Sequence, residues 1–561
     1  MIDKKHLTDK DFDPAALHFV PLGGSGEIGM NLNLYQHAGK WLMVDLGVSF
    51  GDETTPGVEI ILPDTGFIEE RLSNLVGILV THAHEDHIGA IPYLWEDLRV
   101  PVWCTPFAAS FLKAKLVEKG LQNKVPVHII PLGGRTNIGP FDIELISLTH
   151  SIPEPNGVVI RTGAGTVLHT GDWKLDPDPV VGMLTNEEAL QRLGREGVSA
   201  MVCDSTNALV PGRSGSEAEV RDSLVELFGQ YHDTRIAVTC FASNVARLHS
   251  IAQAAHAHDR QVALVGRSLW RINEAARANG YLADLPPFLT ENEAGYVPRE
   301  KVVLICTGSQ GEPRAALSRV SSGDHPDVTL ERDDVVIFSA REIPGNEKAI
   351  AKIQNNLLRR GIKVVTADDA FVHVSGHPAR EELVQMYQWV RPQVAIPVHG
   401  EARHLAAHAD LAQDCQVPEV LIPEDGIVIR LAPGPAGVLG HVHAGRLCVD
   451  GKRIVPMNNQ ALRSRTRMAH SGAVVVTLVM TPRGEFLAGP KVAVMGLLEE
   501  DEYEEEQAEL VMRVRGAVEQ LTRSARQDDA AVKEAARVAV RRNFSSTQGR
   551  KPITEVHLVR I

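Results

Sequence analysis

Alternating hydrophobic and polar positions mark the start of the chain as a series of short strands. The segments 18–22, 31–36 and 40–45 carry this alternation and are separated by glycine-rich or polar turns, which is typical of strands. From there to Asp204, further strand-like runs alternate with stretches whose hydrophobic residues recur at helical spacing. Such alternation predicts a layered α/β domain.

After Asp204 the chain changes to hydrophobic segments that are each followed by an expected helix. These segments lie at 235–240, 261–267, 301–308 and 334–340. Their near-continuous hydrophobicity favours parallel strands in a βαβ sub-domain. Histidines of a catalytic type resume from His373 onward. The chain is therefore expected to leave the first domain and later return to it.

The end of the chain predicts a small α+β domain. A hydrophobic strand at 473–480 precedes a helical pattern at 497–521 with an acidic first half, a second helical pattern at 528–544 and a terminal strand at 554–561. Carboxylates favour the positive end of a helix dipole. The acidic run at 499–509 is therefore expected to be a solvated helix face rather than a metal store.

Together these patterns divide the chain into domains. The expected order is a first domain at 1–205, an insertion at 206–368, a return of the first domain at 369–430, a linker at 431–465 and the α+β domain at 466–561. The linker is expected because the stretch 432–440 is rich in proline and glycine.

Length and charge narrow the class of protein. A chain of 561 residues with 44% hydrophobic and 23% charged residues is a multi-domain globular protein, not a disordered or fibrous one. Lys and Arg number 57 against 71 Asp and Glu, a net charge of −14. Attraction by the molecule as a whole therefore does not hold a nucleic acid, which would need a local basic or metal-loaded groove.

The cysteines and the amino-terminal segment indicate in which cellular compartment the protein is expected. Six cysteines lie far apart without a CxxC pair, which argues against a disulfide framework and a thiolate zinc site. The segment 1–14 is polar, and no window of 18 apolar residues occurs. We expect a cytoplasmic protein with no membrane association.

The strongest chemical signal is the sequence THAHEDH at 81–87, which directly follows a hydrophobic strand. In an extended or turning loop His82 and His84 point to one side, while Asp86 and His87 reach a second position. Imidazole and carboxylate ligands suit Zn or Mn. The spacing therefore indicates two metal ions rather than one.

Further ligands are expected at the ends of other strands, where layered α/β folds place functional groups. His150, Asp172 and His399 each end such a strand. Taken singly, each is as compatible with a structural role as with metal binding.

The motifs of the chain resemble those of a known family. They are LGGSGEIGMN at 22–31, THAHEDHIGAIPYL at 81–94, THSIPEPNGVVI at 149–160, HTGDWKLDPDP at 169–179, CDSTNA at 203–208, CTGSQGEPRAALSR at 306–319, HVSGH at 373–377 and PVHGEARH at 397–404. In this order they resemble the β-CASP branch of the metallo-β-lactamase superfamily, and within it the bacterial ribonuclease J family, over nearly the full chain. The resemblance implies an αββα sandwich with an inserted β-CASP α/β sub-domain and a small C-terminal α+β domain.

The resemblance also implies metal ligands. His82, His84 and His150 would hold one metal, and Asp86, His87 and His399 the other, with Asp172 bridging. Asp45 is expected to orient a ligand or the reactive water rather than to bind metal.

Two signature residues of the branch are matched by Asp204 and His377. We expect His377 to protonate the departing O3′. The alternatives are that Asp204 caps a helix and that His377 only packs at the start of the helix that follows it.

Substrate contacts are expected from two loops and a phosphate pocket. The resemblance assigns them to Phe241, Ala242, Ser243 and Asn244 in the insertion, and the HVSGH loop adds His373, Val374, Ser375 and Gly376. Donors for a 5′-monophosphate pocket would be Ser243, Asn244, Arg247, Arg267 and Ser309, although the arginines are equally compatible with surface salt bridges. Phe241 and Trp270 are candidate stacking platforms, but lone aromatic residues are more often core.

Other signals carry less weight. The GSGEIG sequence at 24–29 fits a dinucleotide fingerprint literally, but a strand rather than a helix is expected after it, so NAD is not expected. The glycine-containing turn CTGSQGE at 306–312 lacks the GKS or GKT ending of an NTP-binding loop, so ATP is not expected either. The resemblance implies a structural calcium near Pro56 and Val58 with Asp450. It also implies a homodimer, with a tetramer as the alternative.

The function expected from this resemblance is a metal-dependent ribonuclease. It would act mainly as a 5′→3′ exonuclease on 5′-monophosphorylated single-stranded RNA, with some endonuclease activity, in messenger decay and ribosomal RNA maturation. Other RNA-decay proteins are potential partners. The alternatives are a non-catalytic RNA-binding scaffold and another hydrolase on the same fold.

Overall fold

The computed structural model describes residues 5–52, 54–499 and 503–561. The chain divides into two compact units. One contains the residues up to Ser49 together with Leu62–Gly445, and the other contains Phe50–Ile61 and Arg446–Ile561.

Two sheets that enclose a common core form the centre of the first unit. From edge to edge, the first sheet consists of Gly437–His441, Ile427–Ala432, Leu17–Gly23, Leu32–His37, Lys40–Val44, Leu75–Leu79, Val102–Cys104 and Val127–Ile129. The second consists of Arg135–Ile138, Phe141–Ser147, Asn156–Arg161, Thr166–His169, Ala200–Asp204, Val394–Val398 and Glu419–Val420. Phe19 and Tyr35 from the first sheet and Phe141 and Ile160 from the second are buried in this core.

Helices cover the outer sides of these sheets, which completes the expected αββα sandwich. They are Gly66–Glu69, Glu85–Ile88, Ile91–Leu98, Pro106–Glu118, Glu187–Glu196, Arg380–Val390 and Ala402–Asp414. The strand Ala200–Asp204 is hydrophobic at successive positions, without a polar alternation, because both of its faces are buried. Ala200 and Val202 join the core between the sheets, while Met201 and Cys203 join a second core with the outer helices.

The expected insertion contains a separate sheet of five parallel strands. Their order is Gln261–Val265, Val302–Cys306, Ile236–Thr239, Val335–Phe338 and Lys363–Val365. The helices around it are Glu217–Phe228, Val245–Ala257, Arg267–Ala278, Glu291–Ala294, Ala316–Ser322 and Glu347–Arg359. The central strands are buried on both faces, because helices pack on both sides of a parallel sheet.

The linker expected at 431–465 contains regular structure, and the boundary between the two compact units falls within it, after Gly445. This range contains the end of one strand, the strands Gly437–His441, Arg446–Asp450 and Arg453–Pro456, and the start of the helix Gln460–Ser471. Its proline and glycine residues form the turn of an antiparallel hairpin, in which Arg430 pairs with Gly437. Turn residues at a hairpin and in a flexible linker are the same types, so composition did not separate the two.

The second unit carries a three-stranded sheet with two helices on one face. The strand order is Phe486–Met495, Ala473–Met480 and Ile553–Arg560, and the helices are Tyr503–Glu519 and Asp529–Thr547. Val476, Val514 and Phe544 lie in the core between helices and sheet.

A hairpin of Arg446–Asp450 and Arg453–Pro456 also lies in the second unit. The short strands Ser49–Phe50 and Ile60–Pro63 complete its sheet.

Two expectations fall partly outside the described residues. Residues 500–502 of the acidic run and residues 1–4 of the amino-terminal segment are not described. In the described part, Glu499 precedes the helix Tyr503–Glu519, and Glu504, Glu505 and Glu509 are exposed on the first two turns of that helix. None of the described helices is both long enough and apolar enough to cross a bilayer.

Candidate metal centre

The ends of several strands meet at one edge of the sandwich. Thr166–His169, Ala200–Asp204 and Val394–Val398 are parallel neighbours. Their carboxyl ends therefore deliver Asp172, Asp204 and His399 to the same edge. The strands Leu75–Leu79 and Phe141–Ser147 bring the remaining sequence-predicted ligands to this edge. These are His82, His84, Asp86, His87 and His150.

Three imidazole rings form the first group of potential ligands. His82 Nε2 lies 3.1 Å from His84 Nδ1, which lies 3.0 Å from His150 Nε2. Burial lowers the pKa of His82 and His150 well below the usual value, and it lowers that of His84 to about 4. These rings are therefore neutral, with lone pairs available for a metal ion.

The outer nitrogen atoms of two of these rings have oxygen partners. His150 Nδ1 lies 2.5 Å from the carbonyl oxygen of Gly376, and His82 Nδ1 lies 3.0 Å from Thr81 Oγ1. A hydrogen bond at the outer nitrogen fixes the tautomer and turns the inner lone pair toward the site.

The second group combines Asp86, His87 and His399 with Asp172. His399 Nε2 lies 3.1 Å from Asp86 Oδ2, and His87 Nε2 lies 3.2 Å from Asp172 Oδ2. Burial lowers the pKa of His87 and His399, but the surrounding carboxylates outweigh it and leave both pKa values well above the usual value. The carboxylates that hold these protons are also the groups that would attract a cation.

Asp172 joins the two groups. Its Oδ2 atom lies 3.8 Å from both His82 Nε2 and His150 Nε2, in addition to its contact with His87. Its Oδ1 atom is buried and has no hydrogen-bond partner among the described residues. His399 Nδ1 lies 3.7 Å from this oxygen. A buried carboxylate oxygen without a hydrogen-bond partner, among imidazole and carboxylate donors, fits a site for divalent metal.

Asp45 supports the ligands from behind. It accepts hydrogen bonds from the Thr81 backbone N–H at 2.8 Å and the Thr81 hydroxyl at 2.9 Å, and it lies 2.7 Å from His87 Nδ1. It is fully buried in a left-handed conformation with φ +63°. A non-glycine residue adopts this conformation only where its surroundings enforce it.

The glycine-rich loop that matched a dinucleotide fingerprint has a structural role in this site. The carbonyl oxygen of Gly24 accepts the His399 backbone N–H at 2.7 Å, and Ser25–Gly26 pairs with Gly400–Glu401. Gly24 has φ +86°, a conformation that favours glycine. A strand follows the loop, at Leu32–His37.

Asp204 and His377 form an ion pair beside the second group. His377 Nδ1 lies 2.8 Å from Asp204 Oδ2. Burial lowers the pKa of His377, but Asp204 outweighs it and leaves the pKa raised. Asp204 Oδ1 accepts hydrogen bonds from the N–H and the hydroxyl of Thr206, and the chain there is a turn rather than a helix. Asp204 therefore does not cap a helix.

Three supporting residues were missed from the sequence. Asn31 Nδ2 donates to the Asp86 carbonyl oxygen at 3.1 Å, Thr81 contacts Asp45, and Thr206 Oγ1 lies 2.9 Å from His399 Nδ1. All three lie inside the family motifs given above, so the motifs were the available signal. The residue types alone did not indicate a role at the site, because Asn and Thr are common in turns.

The HVSGH loop lies against the site. Ser375 Oγ accepts a hydrogen bond from Asn207 at 2.7 Å. A Cβ atom at Gly376 would lie 2.8 Å from the His150 ring, so only glycine allows this approach. His373 is half-buried and Val374 is buried.

The residues expected to form a phosphate pocket are largely engaged elsewhere. Asn244 is buried, and its side chain caps the helix Val245–Ala257. Arg247 is fully buried, with both carboxylate oxygens of Glu217 as partners, so its expected contact with a phosphate is wrong. Ser309 is buried and Arg267 is exposed.

The side chains of the four remaining candidates are half-buried. They are Phe241, Ala242, Ser243 and Trp270.

The residues expected to bind calcium do not fit a cation. Both oxygens of Asp450 accept from Arg465, and Oδ2 also accepts from Arg453. The Arg465 guanidinium also approaches the loop of Pro56 and Val58, since a Cβ atom at Gly57 would lie 3.5 Å from it. Two guanidinium groups repel a calcium ion from this carboxylate, so the expectation is wrong for this chain.

Family models match most of the chain. Residues 30–228 match the metallo-beta-lactamase superfamily, and residues 233–357 match the ribonuclease J beta-CASP domain. Residues 361–423 match a Zn-dependent metallo-hydrolase RNA specificity domain, and residues 460–561 match the ribonuclease J C-terminal domain.

Individual relatives match over nearly full length. Ribonuclease J of Sinorhizobium meliloti is 46% identical over 97% of both chains. Ribonuclease J of Mycobacterium tuberculosis H37Rv is 38% identical over 96% of both, and that of Mycolicibacterium smegmatis is 43% identical over 85% of this chain and 86% of its own.

A solved structure supports the fold alone. A protein of unknown function from Enterococcus faecalis V583 superposes with a TM-score of 0.50 at 16% identity, over 75% of this chain and all of that one.

Replacing Asp45 by asparagine tests the support of the metal ligands. We expect Asp45→Asn to weaken divalent metal binding by about 10- to 100-fold, because outer hydrogen bonds orient the ligands. Titration of the metal-free protein with Zn²⁺ or Mn²⁺ measures this. Asp142→Asn, at a half-buried carboxylate paired with Arg135 outside the centre, is the control and should bind as the unaltered protein does. Equal affinities for all three proteins would contradict this role for Asp45.

Proposed function

The chain belongs to the ribonuclease J family, and we propose that it is a two-metal ribonuclease. Its main activity would be that of a 5′→3′ exonuclease on 5′-monophosphorylated single-stranded RNA. It would have additional endonuclease activity. The observation that carries this proposal is the pair of donor groups that share the buried carboxylate of Asp172. We place its work in the cytoplasm, in messenger decay and ribosomal RNA maturation. The six cysteines are all free thiols, which agrees with a reducing compartment.

The ligand assignment follows the two groups. His82, His84 and His150 would hold one ion, and the second would be held by the other group, which consists of Asp86, His87 and His399, while Asp172 contacts both. Zn²⁺ and Mn²⁺ suit this mixture of nitrogen and oxygen donors. When bound, two such ions supply the positive charge that activates water and offsets the phosphodiester charge during in-line displacement.

His377 is the proposed general acid. Its Nδ1 atom faces Asp204 at 2.8 Å, so Nε2 is the nitrogen that can give a proton to the departing O3′. The negative charge of Asp204 raises the pKa of His377 and so favours the protonated ring, which a general acid requires before the leaving group departs. Thr206 donates to the other oxygen of Asp204 and thereby fixes the carboxylate plane.

The HVSGH loop is the proposed contact for the RNA backbone. Ser375 and Gly376 are small residues, so a phosphate can approach the backbone N–H groups of the loop closely. A contact with phosphate does not depend on the base sequence of the RNA. The negative net charge of the chain means that bound cations, rather than the protein surface, would supply most of the attraction for RNA at this point.

A non-catalytic scaffold and a small-molecule hydrolase explain the site less well. All seven proposed ligands belong to groups whose donor atoms lie within 4.8 Å of one another, a convergence that a scaffold does not need. A small substrate does not need the insertion that lies between Asp204 and His377.

We propose a homodimer, with a tetramer as the alternative, that forms through the second unit. The face of its three-stranded sheet that turns away from the helices exposes Met495 and Val559, with Val475 and Val479 partly exposed. The strand register places Lys491, Glu555 and His557 on the same face. Apolar residues interspersed with charged ones are typical of a non-obligate protein interface. Other RNA-decay proteins would be additional partners.

Substitution of an interface residue tests the dimer. We expect the full chain to sediment as a dimer or tetramer and Met495→Asp to shift it toward the monomer, because a charge on this face would be buried without a partner. Met512→Asp, at a residue that is 72% exposed on the helix Tyr503–Glu519, should leave the mass unchanged. A monomeric parent, or a Met495→Asp variant that remains associated, would contradict the interface.

Metal removal tests the activity. We expect purified protein to release mononucleotides from the 5′ end of monophosphorylated single-stranded RNA, to stop after chelation and to recover with Mn²⁺ or Zn²⁺. Gel analysis of 5′-labelled and internally labelled RNA separates exonuclease from endonuclease products. A stable duplex is the control and should resist. RNA that is bound but remains intact at every metal concentration would indicate a scaffold instead.

Substitution of His377 tests the general acid. We expect His377→Ala to retain its metal ions and lower the turnover of RNA by about 10²- to 10⁴-fold, because the departing O3′ then leaves without a proton. His441→Ala, at a histidine in the edge strand Gly437–His441, serves as the control and should keep full turnover. Undiminished cleavage by His377→Ala with normal metal content would contradict the acid role.

A further inference from the structure

Four buried charged side chains form a continuous network next to the site. They are Lys174, Asp176, Glu217 and Arg247, which we call the buried charge chain. None is more than 3% exposed. Their charges balance in two pairs, and the proposed mechanism uses none of them.

The first link of the buried charge chain starts from the strand end that carries Asp172. Lys174 lies two residues further on, and its Nζ atom is 2.7 Å from Asp176 Oδ2. Asp176 accepts hydrogen bonds from Ser216 Oγ at 2.7 Å and from the Glu217 backbone N–H at 2.9 Å. It therefore caps the first helix of the insertion, Glu217–Phe228, from the side of the metal centre.

The second link crosses the insertion. Arg247 Nε and one terminal nitrogen each donate to a different oxygen of Glu217 at 3.1 Å. This is the two-pronged contact that a guanidinium makes and an ammonium does not. Arg247 lies on the helix Val245–Ala257, so the pair joins two neighbouring helices of the insertion.

The third link reaches the loop that carries His377. The other terminal nitrogen of Arg247 donates to the Val372 carbonyl oxygen at 3.0 Å and to the Ser339 carbonyl oxygen at 2.7 Å. The Ser339 hydroxyl donates to the same Val372 oxygen at 2.7 Å. Val372 is thus held by two donors of the insertion, five residues before His377.

We propose that Arg247 and Glu217 are positioning residues for the general acid: they fasten the insertion to the start of the HVSGH loop and so hold His377 against Asp204. This inference rests on the proposed acid role of His377. Buried ion pairs add little stability compared with apolar residues of the same volume. Their directional contacts, in contrast, fix one orientation of the groups they join.

The variant Arg247→Lys keeps the positive charge and removes the two-pronged guanidinium contact with Glu217. We expect it to keep its metal content and to lower kcat for RNA by about 10- to 100-fold, because small displacements of a catalytic group are costly. Bis(p-nitrophenyl) phosphate separates positioning of the acid from general damage. Its leaving group departs without a proton, so its hydrolysis should fall by less than about threefold.

A matched control exists in the same sub-domain. Arg260 is also buried, and its guanidinium donates to the carbonyl oxygens of Thr234, Tyr231 and His232, away from the HVSGH loop. Arg260→Lys likewise replaces a buried guanidinium by an ammonium group and loses its multiple hydrogen bonds. We expect it to leave the ratio of RNA turnover to nitrophenyl ester turnover unchanged. An equal change of this ratio in both variants would overturn the proposal.

A milder variant covers the case in which Arg247→Lys does not fold. Ser339→Ala removes one of the two donors to Val372 and also the hydroxyl that accepts from Arg247 at 2.8 Å, while the contacts of Arg247 with Glu217 remain. It should lower the same ratio by about 2- to 10-fold, as expected for the loss of local hydrogen bonds at the start of the loop. An unchanged ratio in a folded, metal-loaded Ser339→Ala or Arg247→Lys protein would overturn the proposal.

His377→Ala in the same assays distinguishes the two hypotheses. If His377→Ala loses RNA turnover while folded Arg247→Lys does not, the positioning proposal fails and the acid role stands. If His377→Ala keeps RNA turnover, the acid role fails and the positioning proposal fails with it.

Discussion

The buried carboxylate of Asp172 is the group on which the rest of the site depends. One of its oxygens has no hydrogen-bond partner among the described residues, and histidines surround the other. An ionised carboxylate in such a place is unfavourable unless positive charge stands next to it. Protonated His87 and His399 supply that charge in the free protein, as their raised pKa values show. Bound cations would take over this role, so metal binding and the stability of the sheet edge are linked.

The residues around this carboxylate must be held rigidly, and the backbone conformation and backbone hydrogen bonds of the fold hold them. Asp45 and His399 both adopt left-handed conformations, with φ of +63° and +53°, at points where a strand gives way to the site. Asp45 binds Thr81 and His87, while the glycine-rich loop binds the His399 backbone. Local strain at these positions is balanced by hydrogen bonds from neighbouring strands.

Sequence predicted the parts of the site that local spacing encodes. The HxHxDH run and the strand-end positions of His150 and Asp172 indicated residues that the structure brings together. Arg247 was misjudged because sequence shows that a residue is charged but not that Glu217 covers it in the interior. Asp450 was misjudged for the same reason, since sequence does not show that Arg453, opposite it in the hairpin, and Arg465, on the helix that follows, both pair with it. The linker at 431–465 was expected from proline and glycine residues, which here form the turn of an antiparallel hairpin.

The ion pair of Asp204 and His377 has a mechanical consequence. Asp204 is the last residue of its strand before the insertion, and His377 follows the insertion on its return, yet their side chains lie 2.8 Å apart. The insertion also contacts the first domain away from this neck: Arg271 pairs with Glu118, Asn279 Nδ2 donates to Ser110 Oγ, and the Tyr281 hydroxyl donates to Glu154. Rotation of the insertion about the neck would have to break these contacts. The two attachments together therefore hold the insertion, and with it His377, in one position against the sandwich.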